Sequence, residues 1–259
     1  MKKFILSLVS LAAMVSACNT VMIEQPDQCG ELSVSLFDEP GVEVVTKAPE
    51  ALSPTDDEAS KYTVRIFNAS DEKLYEATYK AFETQTLALG SYYVTAENCS
   101  EAAAETGNGT MRLFGKSDNV TLSADALTGT ATVNCTVTNA KVSVKFDESV
   151  KDKFSGLQVT LSGGTTRTKA ITVAQTATDV VTETWFNPSA LTYTISGTFT
   201  GSGMSKDVSI SDDIELKAKN NILLVVKVNL ENGQLVPAVT IDTELDNLVE
   251  EDATFNPYN

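Results

Sequence analysis

Residues 133–146 read VNCTVTNAKVSVKF, two alternating runs set end to end across a short polar break. Val133, Cys135 and Val137 fall on one face of the first run, and Val142, Val144 and Phe146 share a face of the second. Successive side chains of a strand point to opposite sides of a sheet, so a period of two reads as a half-buried strand. Only a few residues separate Val137 from Lys141. We therefore place a domain boundary near Asn139, with a β-sandwich on each side of it.

The same pattern extends outward in both directions. ELSVSLF, from Glu31, groups Leu32, Val34 and Leu36; YTVRIFN groups Tyr62, Val64 and Ile66; SYYVTAEN groups Tyr92, Val94 and Ala96. Beyond the break come LQVTLSG, KAITVAQ, LTYTISGTF, KDVSISDD and NNILLVVKVNL. In the last of these Ile222, Leu224, Val226 and Val228 share a face, yet NILLVV is apolar on both sides, which predicts a central strand. Turn chemistry punctuates the runs at Asn68 to Glu72, Leu89-Gly90-Ser91, Gly107-Asn108-Gly109 and Gly163-Gly164. Short helical turns are expected at Glu101 to Glu105 and at Asp147 to Phe154, the latter with acids ahead of lysines. No long amphipathic helix interrupts the strands, so the expected fold is all-β, two tandem antiparallel β-sandwich domains over residues 31–138 and 139–240. Residues 18–30 read as a tether, 48–60 as a polar, proline-bearing loop, and 241–259 as a C-terminal strand or acidic tail.

Composition narrows the chemistry. The chain has 259 residues, 42% of them apolar, enough to bury a sizeable core. A net charge of −16 opposes binding to nucleic-acid phosphates, so no nucleic-acid partner is expected. Histidine is absent, which removes Ser-His-Asp and Cys-His nucleophile arrangements and histidine-bearing zinc sites. The carboxylates of Asp212-Asp213-Ile214-Glu215 and Asp242-Thr243-Glu244-Leu245-Asp246 lack the glycine turn and ligand order of a calcium loop and read as solvated acids. We expect no metal, no cofactor and no catalytic residue. Trp185, the single tryptophan, with Phe186, Tyr193 and Phe199 reads as core of the second sandwich, with a carbohydrate-binding surface as the alternative. Arg65, Arg112 and Arg167 are scattered singly and read as surface charges.

The N-terminus carries an address. Lys2 and Lys3 precede FILSLVSLAAMV, the order of a secretory signal and too short for a stable membrane span. The stretch closes on VSAC, Val15 to Cys18, which resembles the bacterial lipobox. That resemblance implies a signal peptide of residues 1–17, lipidation of Cys18, and anchorage by acyl chains at about 0.8 kcal/mol per buried methylene. Loss of the first 17 residues removes two lysines and no acid, taking the net charge from −16 to −18. Asn19 at the next position resembles lipoproteins sent to the outer membrane, and display at the cell surface is expected. Of the other cysteines, Cys99 and Cys135 sit near predicted strand ends and form the candidate disulfide of an oxidising compartment, leaving Cys29; small packing residues are the alternative.

Three segments carry a family resemblance: CGELSVSLFDEPGVEVVTKA at 29–48, YTVRIFNASDEKLYEATY with TLALGSYYVTAEN, and VNCTVTNAKVSVKF. Together they resemble the fimbrillin-like and cell-adhesion lipoproteins of Bacteroidetes. The resemblance implies transthyretin-like sandwiches related to the pilins of that phylum, in which a neighbour's strand fills a groove left by a cleaved one. It implies a non-enzymatic role, with a protein or cell-surface partner such as pilus subunits. The chain departs from the pilin pattern in having Lys47 as the only basic residue between Cys18 and Ser60, which leaves no arginine for a priming cut. An anchor or accessory protein is thus expected rather than a shaft subunit, and a glycan-binding lipoprotein of a nutrient-uptake system is the alternative. Replacing Cys18 by Ser should move the protein from the membrane to the soluble fraction; retention of Cys18→Ser in the membrane would contradict the lipid anchor.

Overall fold

The computed structural model describes residues 28–38, 50–167, 170–178, 180–200, 205–229, 234–242 and 251–252. Cys18, the signal, nearly all of the tether, and most of the 241–259 segment lie outside the described residues. The first half contains β1 (Cys29–Asp38), β2 (Glu50–Leu52), β3 (Thr63–Asn68), β4 (Lys73–Thr78), β5 (Gln85–Ala88) and β6 (Gly90–Glu97). A short helix, α1 (Glu101–Ala104), then precedes β7 (Leu113–Lys116), β8 (Val120–Leu122) and β9 (Thr128–Val137). The second half contains β10 (Ala140–Phe146), β11 (Phe154–Gly163), β12 (Ile171–Ala174), β13 (Val181–Phe186), β14 (Ala190–Phe199), β15 (Lys206–Glu215), β16 (Asn221–Asn229), β17 (Gln234–Asp242) and β18 (Glu251–Asp252).

Alternation decides which side chains go inside. Val133, Cys135 and Val137 of β9, and Val142, Val144 and Phe146 of β10, are all buried. They enter different clusters. The first core collects Leu32, Leu36, Tyr62, Val64, Ile66, Tyr92, Val94 and Ala96 with the β9 residues. The second collects the β10 residues with Leu157, Val159, Leu161, Leu191, Tyr193, Ile195, Ile222, Leu224 and Val226. The inward phase shifts by one residue across Thr138 and Asn139, from odd-numbered positions in β9 to even-numbered ones in β10, and the core that the strands feed changes there.

In the first half the strand order is β2-β1-β9-β7-β6-β3-β4, with β5 on β1 and β8 on β6. Most of β9 pairs with β1, whereas its last residues, Thr136 and Val137, pair with Phe114 and Leu113 of β7. One strand therefore serves both layers. In the second half, β13-β10-β16-β17-β18 faces β12-β11-β14-β15 across the second core. The strand NILLVV, within β16, lies between β10 and β17, as its two apolar sides require.

Two features differ from expectation. Purely antiparallel sheets were expected, but β1 and β9 run parallel, as do β10 and β16. Side-chain alternation is the same in either orientation, and here long excursions through the other strands supply the crossovers that parallel neighbours need. The helical turn expected at Asp147 to Phe154 shrinks to a 3-10 turn over Glu148–Val150, capped by Asp147 Oδ1, which accepts from Ser149 N at 2.8 Å. Phe154 opens β11 instead and pairs with Phe199, their rings 5.4 Å apart.

Burial ranks the expected effects of truncation. Leu224 is 1% exposed, and Leu224→Ala should cost about 2–5 kcal/mol. Leu74 on β4 is 42% exposed, and Leu74→Ala should stay within about 0.5 kcal/mol of the parent. Denaturant midpoints measure both, and equal losses would contradict this assignment of the core.

Candidate functional site

An extended excursion of the first half, residues 98–112, joins β6 to its neighbour β7 and reaches the second half. Asn98 closes its base: Asn98 Oδ1 accepts from Leu113 N at 2.8 Å and Asn98 Nδ2 donates to Met111 O at 3.0 Å. Ser100 caps α1 by accepting from Ala103 N at 3.2 Å. The helix lasts a single turn, then Gly107 and Gly109 take positive φ of 62° and 82° and send the chain back. At Gly109 a Cβ would sit 2.6 Å from Trp185 O, so no other residue allows this approach of the two halves.

Glu105 follows α1 and is only 3% exposed. Its Oε1 accepts from Asn187 N at 2.8 Å and Thr165 N at 3.2 Å. Its Oε2 accepts from Thr166 N at 2.7 Å and the Thr166 hydroxyl at 2.6 Å. All of these donors belong to the second half. Gly164, at φ 95°, completes the receptor, because a Cβ there would run into the Glu105 carboxylate. Burial pushes the Glu105 carboxyl up, but the Thr166 hydroxyl and the amides of Asn187, Thr166 and Thr165 outweigh it and hold the group below the ordinary carboxylate value.

Further ties surround this carboxylate. Arg167 donates to Gly107 O and, at 3.0 Å, to Trp185 O, with its guanidinium 4.8 Å from the Phe186 ring centre. Trp185 N donates to Asn108 O at 2.8 Å, which covers part of the outer edge of β13. The Trp185 side chain packs against the first core although it comes from the second half. Asn139, fully buried at the crossing point, holds both sides. Its side chain accepts from Arg112 N at 3.0 Å and donates to Thr110 O at 2.7 Å, while its carbonyl accepts from Lys219 N at 3.0 Å.

A charge ladder leads from this junction across the first half. Glu97, 8% exposed, takes Arg65 on one oxygen at 2.7 Å and Arg112 on the other at 2.9 Å. Arg65 also meets Glu76 at 2.7 Å, and Arg112 reaches Glu101 of α1 at 3.3 Å. Arg65, Arg112 and Arg167 were expected as separate surface charges. All three are partly buried and engaged, because the residues they pair with are distant in sequence and close only in the sheet.

The other candidates separate clearly. The structure holds Cys99 and Cys135, the candidates for a bridge, as separate thiols, Cys99 half-buried and Cys135 buried. Cys135 points from β9 into the first core, where Sγ donates to Ala96 O at 3.6 Å and burial pushes its thiol up to about 12. Cys99 lies in the excursion beyond the end of β6, with Sγ 4.0 Å from Met111 O. Phe186 and Tyr193 are in the second core, as expected; Phe199 meets the ring of Phe154, which packs against that core, while Trp185 serves the junction. Asp213 Oδ1 accepts from the Thr192 hydroxyl at 2.6 Å, and Asp212 Oδ1 from Asp213 N at 2.9 Å. Among the described residues no group of three or more Cys, Asp or Glu could hold a metal, and residues 243–246 lie outside them.

Two surfaces bear on sugar chemistry. Phe67 and Tyr93 stack with centres 5.0 Å apart and planes 10° apart, and Lys116 Nζ sits 3.7 Å from the Tyr93 ring centre. Since β6 lies between β3 and β7, these neighbours cover Tyr93 from opposite sides and leave its ring no face for a sugar. A polar cleft of about 360 Å³ is lined by Glu31, Ser33, Thr84, Thr128, Gly129 and Thr130. Glu31 is the one carboxylate of that lining, where glycoside hydrolysis by paired acids needs two.

Residues 28–256 match the model of a family described as a domain of unknown function, DUF4493. The chain belongs to that family. No curated protein matches its sequence. Among solved structures, the fimbrial anchor protein Mfa2 from Porphyromonas gingivalis is 13% identical, with a TM-score of 0.45 over 86% of this chain and 99% of that one. A fimbrial assembly protein from Parabacteroides distasonis is 12% identical, with a TM-score of 0.44 over 86% of this chain and 99% of that one.

The Glu105 shift fixes a pH dependence. A carboxyl lowered in the folded state contributes fully above its unfolded value, about 4.3, and that contribution is lost as pH falls through the lower folded value. Stability of the parent should therefore exceed that of Glu105→Gln at neutral pH, with the gap closing on acidification below about pH 4. Urea titrations at several pH values measure it, and a gap that widens on acidification would contradict the assignment.

Proposed function

We propose that this DUF4493 protein is a non-enzymatic, lipid-anchored envelope protein that acts by contact, in cell adhesion or as an anchor or accessory of fimbriae. The observation that carries the reading is the junction. The buried Glu97 and Glu105 and the partly buried Arg65, Arg112 and Arg167 are committed to holding strands and halves together. Such an arrangement suits a stiff spacer between a membrane and a partner. The separate hydrophobic clusters support the proposed division into domains of residues 31–138 and 139–240. Anchorage through Cys18 at the outer membrane, with the body at the cell surface, is part of the same proposal and is supported by the lipobox and Asn19. Fimbrial anchor and assembly roles are those for which the two solved structures are named, and the reading here stands on this chain's own junction.

Protease treatment of intact cells, followed by crosslinking and identification of the neighbours, tests the proposal. The expected result is loss of the protein from whole cells and capture of an envelope or pilus protein beside it. A chain untouched by protease with no captured neighbour, or turnover of a substrate by the purified mature chain, would refute it.

A further inference from the structure

The amides of Thr165, Thr166 and Asn187 converge on one point, and the Thr166 hydroxyl joins them. Converging N–H groups, two of them consecutive, make a concavity of fixed positive potential of the kind that takes carboxylate or phosphate oxygens. Gly164 leaves room for the anion, and Arg167 adds a cation that senses the Glu105 charge. The receptor lies wholly in the second half, and its present occupant comes from the first, 61 residues before Thr166. Between the last residue of β9 and the first of β10 only Thr138 and Asn139 intervene. A crossing so short gives the chain a natural pivot, while the carboxylate lies away from it and fixes the angle.

We propose that Gly164–Thr166 and Asn187 form a carboxylate-binding cup, with Glu105 as an internal ligand that latches the two halves in one arrangement. With the carboxylate seated, the halves move as one unit. With it withdrawn, they hinge at Thr138–Asn139, each core stays folded, and the cup accepts a free carboxylate. Glu105 is a positioning residue in this scheme. The inference deepens the contact role above, for which a fixed geometry matters, but it is a property of the isolated chain, so its failure and the failure of adhesion are separable.

The purified full chain carries its own probe, because Trp185 is the single tryptophan and sits in the junction. In Glu105→Ala its emission should shift to the red. The amides of Thr165, Thr166 and Asn187 should exchange at least about tenfold faster, while those of Val144 and Val159 keep the parent's protection. Sodium acetate should reverse both changes in Glu105→Ala, sodium chloride at equal ionic strength should not, and the parent should respond to neither. Cup amides that stay protected in Glu105→Ala, or acetate that does no more than chloride, would overturn the latch. If Glu105→Ala loses its cores as well, Glu105→Gln decides, since it keeps the size and removes the charge. Faster exchange confined to the cup then supports the proposal, and parental exchange there overturns it.

Discussion

A buried carboxylate is the central tie that makes this chain one body rather than two beads. A charged group taken out of water is costly unless its hydrogen-bonding capacity is met, and Glu105 is met by three amides and a hydroxyl from the opposite half. The donors are fixed main-chain groups for the most part, so the match is directional as well as electrostatic. Removing the carboxylate leaves those donors buried without an acceptor, and the junction then favours separation. Asn139, Arg167 and Trp185 add ties around the same point, each linking an atom of one half to an atom of the other.

The two cores gain their stability by a different principle. Alternating apolar residues on β-strands bury themselves in each half independently, and the interior of one cluster is not continued by the other. Charges of the first half are arranged to pair, with Glu97 receiving Arg65 from the neighbouring strand β3 and Arg112 from the excursion. In a chain of net charge −16, Arg65 and Arg112 are thus placed where they tie strands and the excursion together.

Much of the architecture was legible because period-two alternation survives any rearrangement of strands. Tyr62, Val64 and Ile66, or Ile222, Leu224 and Val226, could be assigned to an interior without knowledge of which interior. The break at Asn139 was legible as well, because two alternating runs meet there with only a few residues between Val137 and Lys141. Strand direction was not, because a parallel neighbour and an antiparallel one present the same alternation, and β10 meets β16 only after most of the second half has intervened. The junction was hidden for a related cause. Glu105 and Thr166, or Arg167 and Gly107, are far apart in the chain, and no local spacing announces their meeting. Gly109 and Gly164 were read only as turns, although the lack of a Cβ at each is what permits the two halves to touch. Cys135 lies in phase with Val133 and Val137 and is an inward-facing member of the first core, where the alternative of a small packing residue had placed it.

The central claim, a single rigid unit made from two independently packed cores, is tested most directly by residual dipolar couplings measured on backbone amides throughout the described strands. Couplings from β1 to β9 and from β10 to β16 should fit one common alignment tensor. Two tensors of different magnitude or orientation would show that the halves tumble separately and would contradict the account.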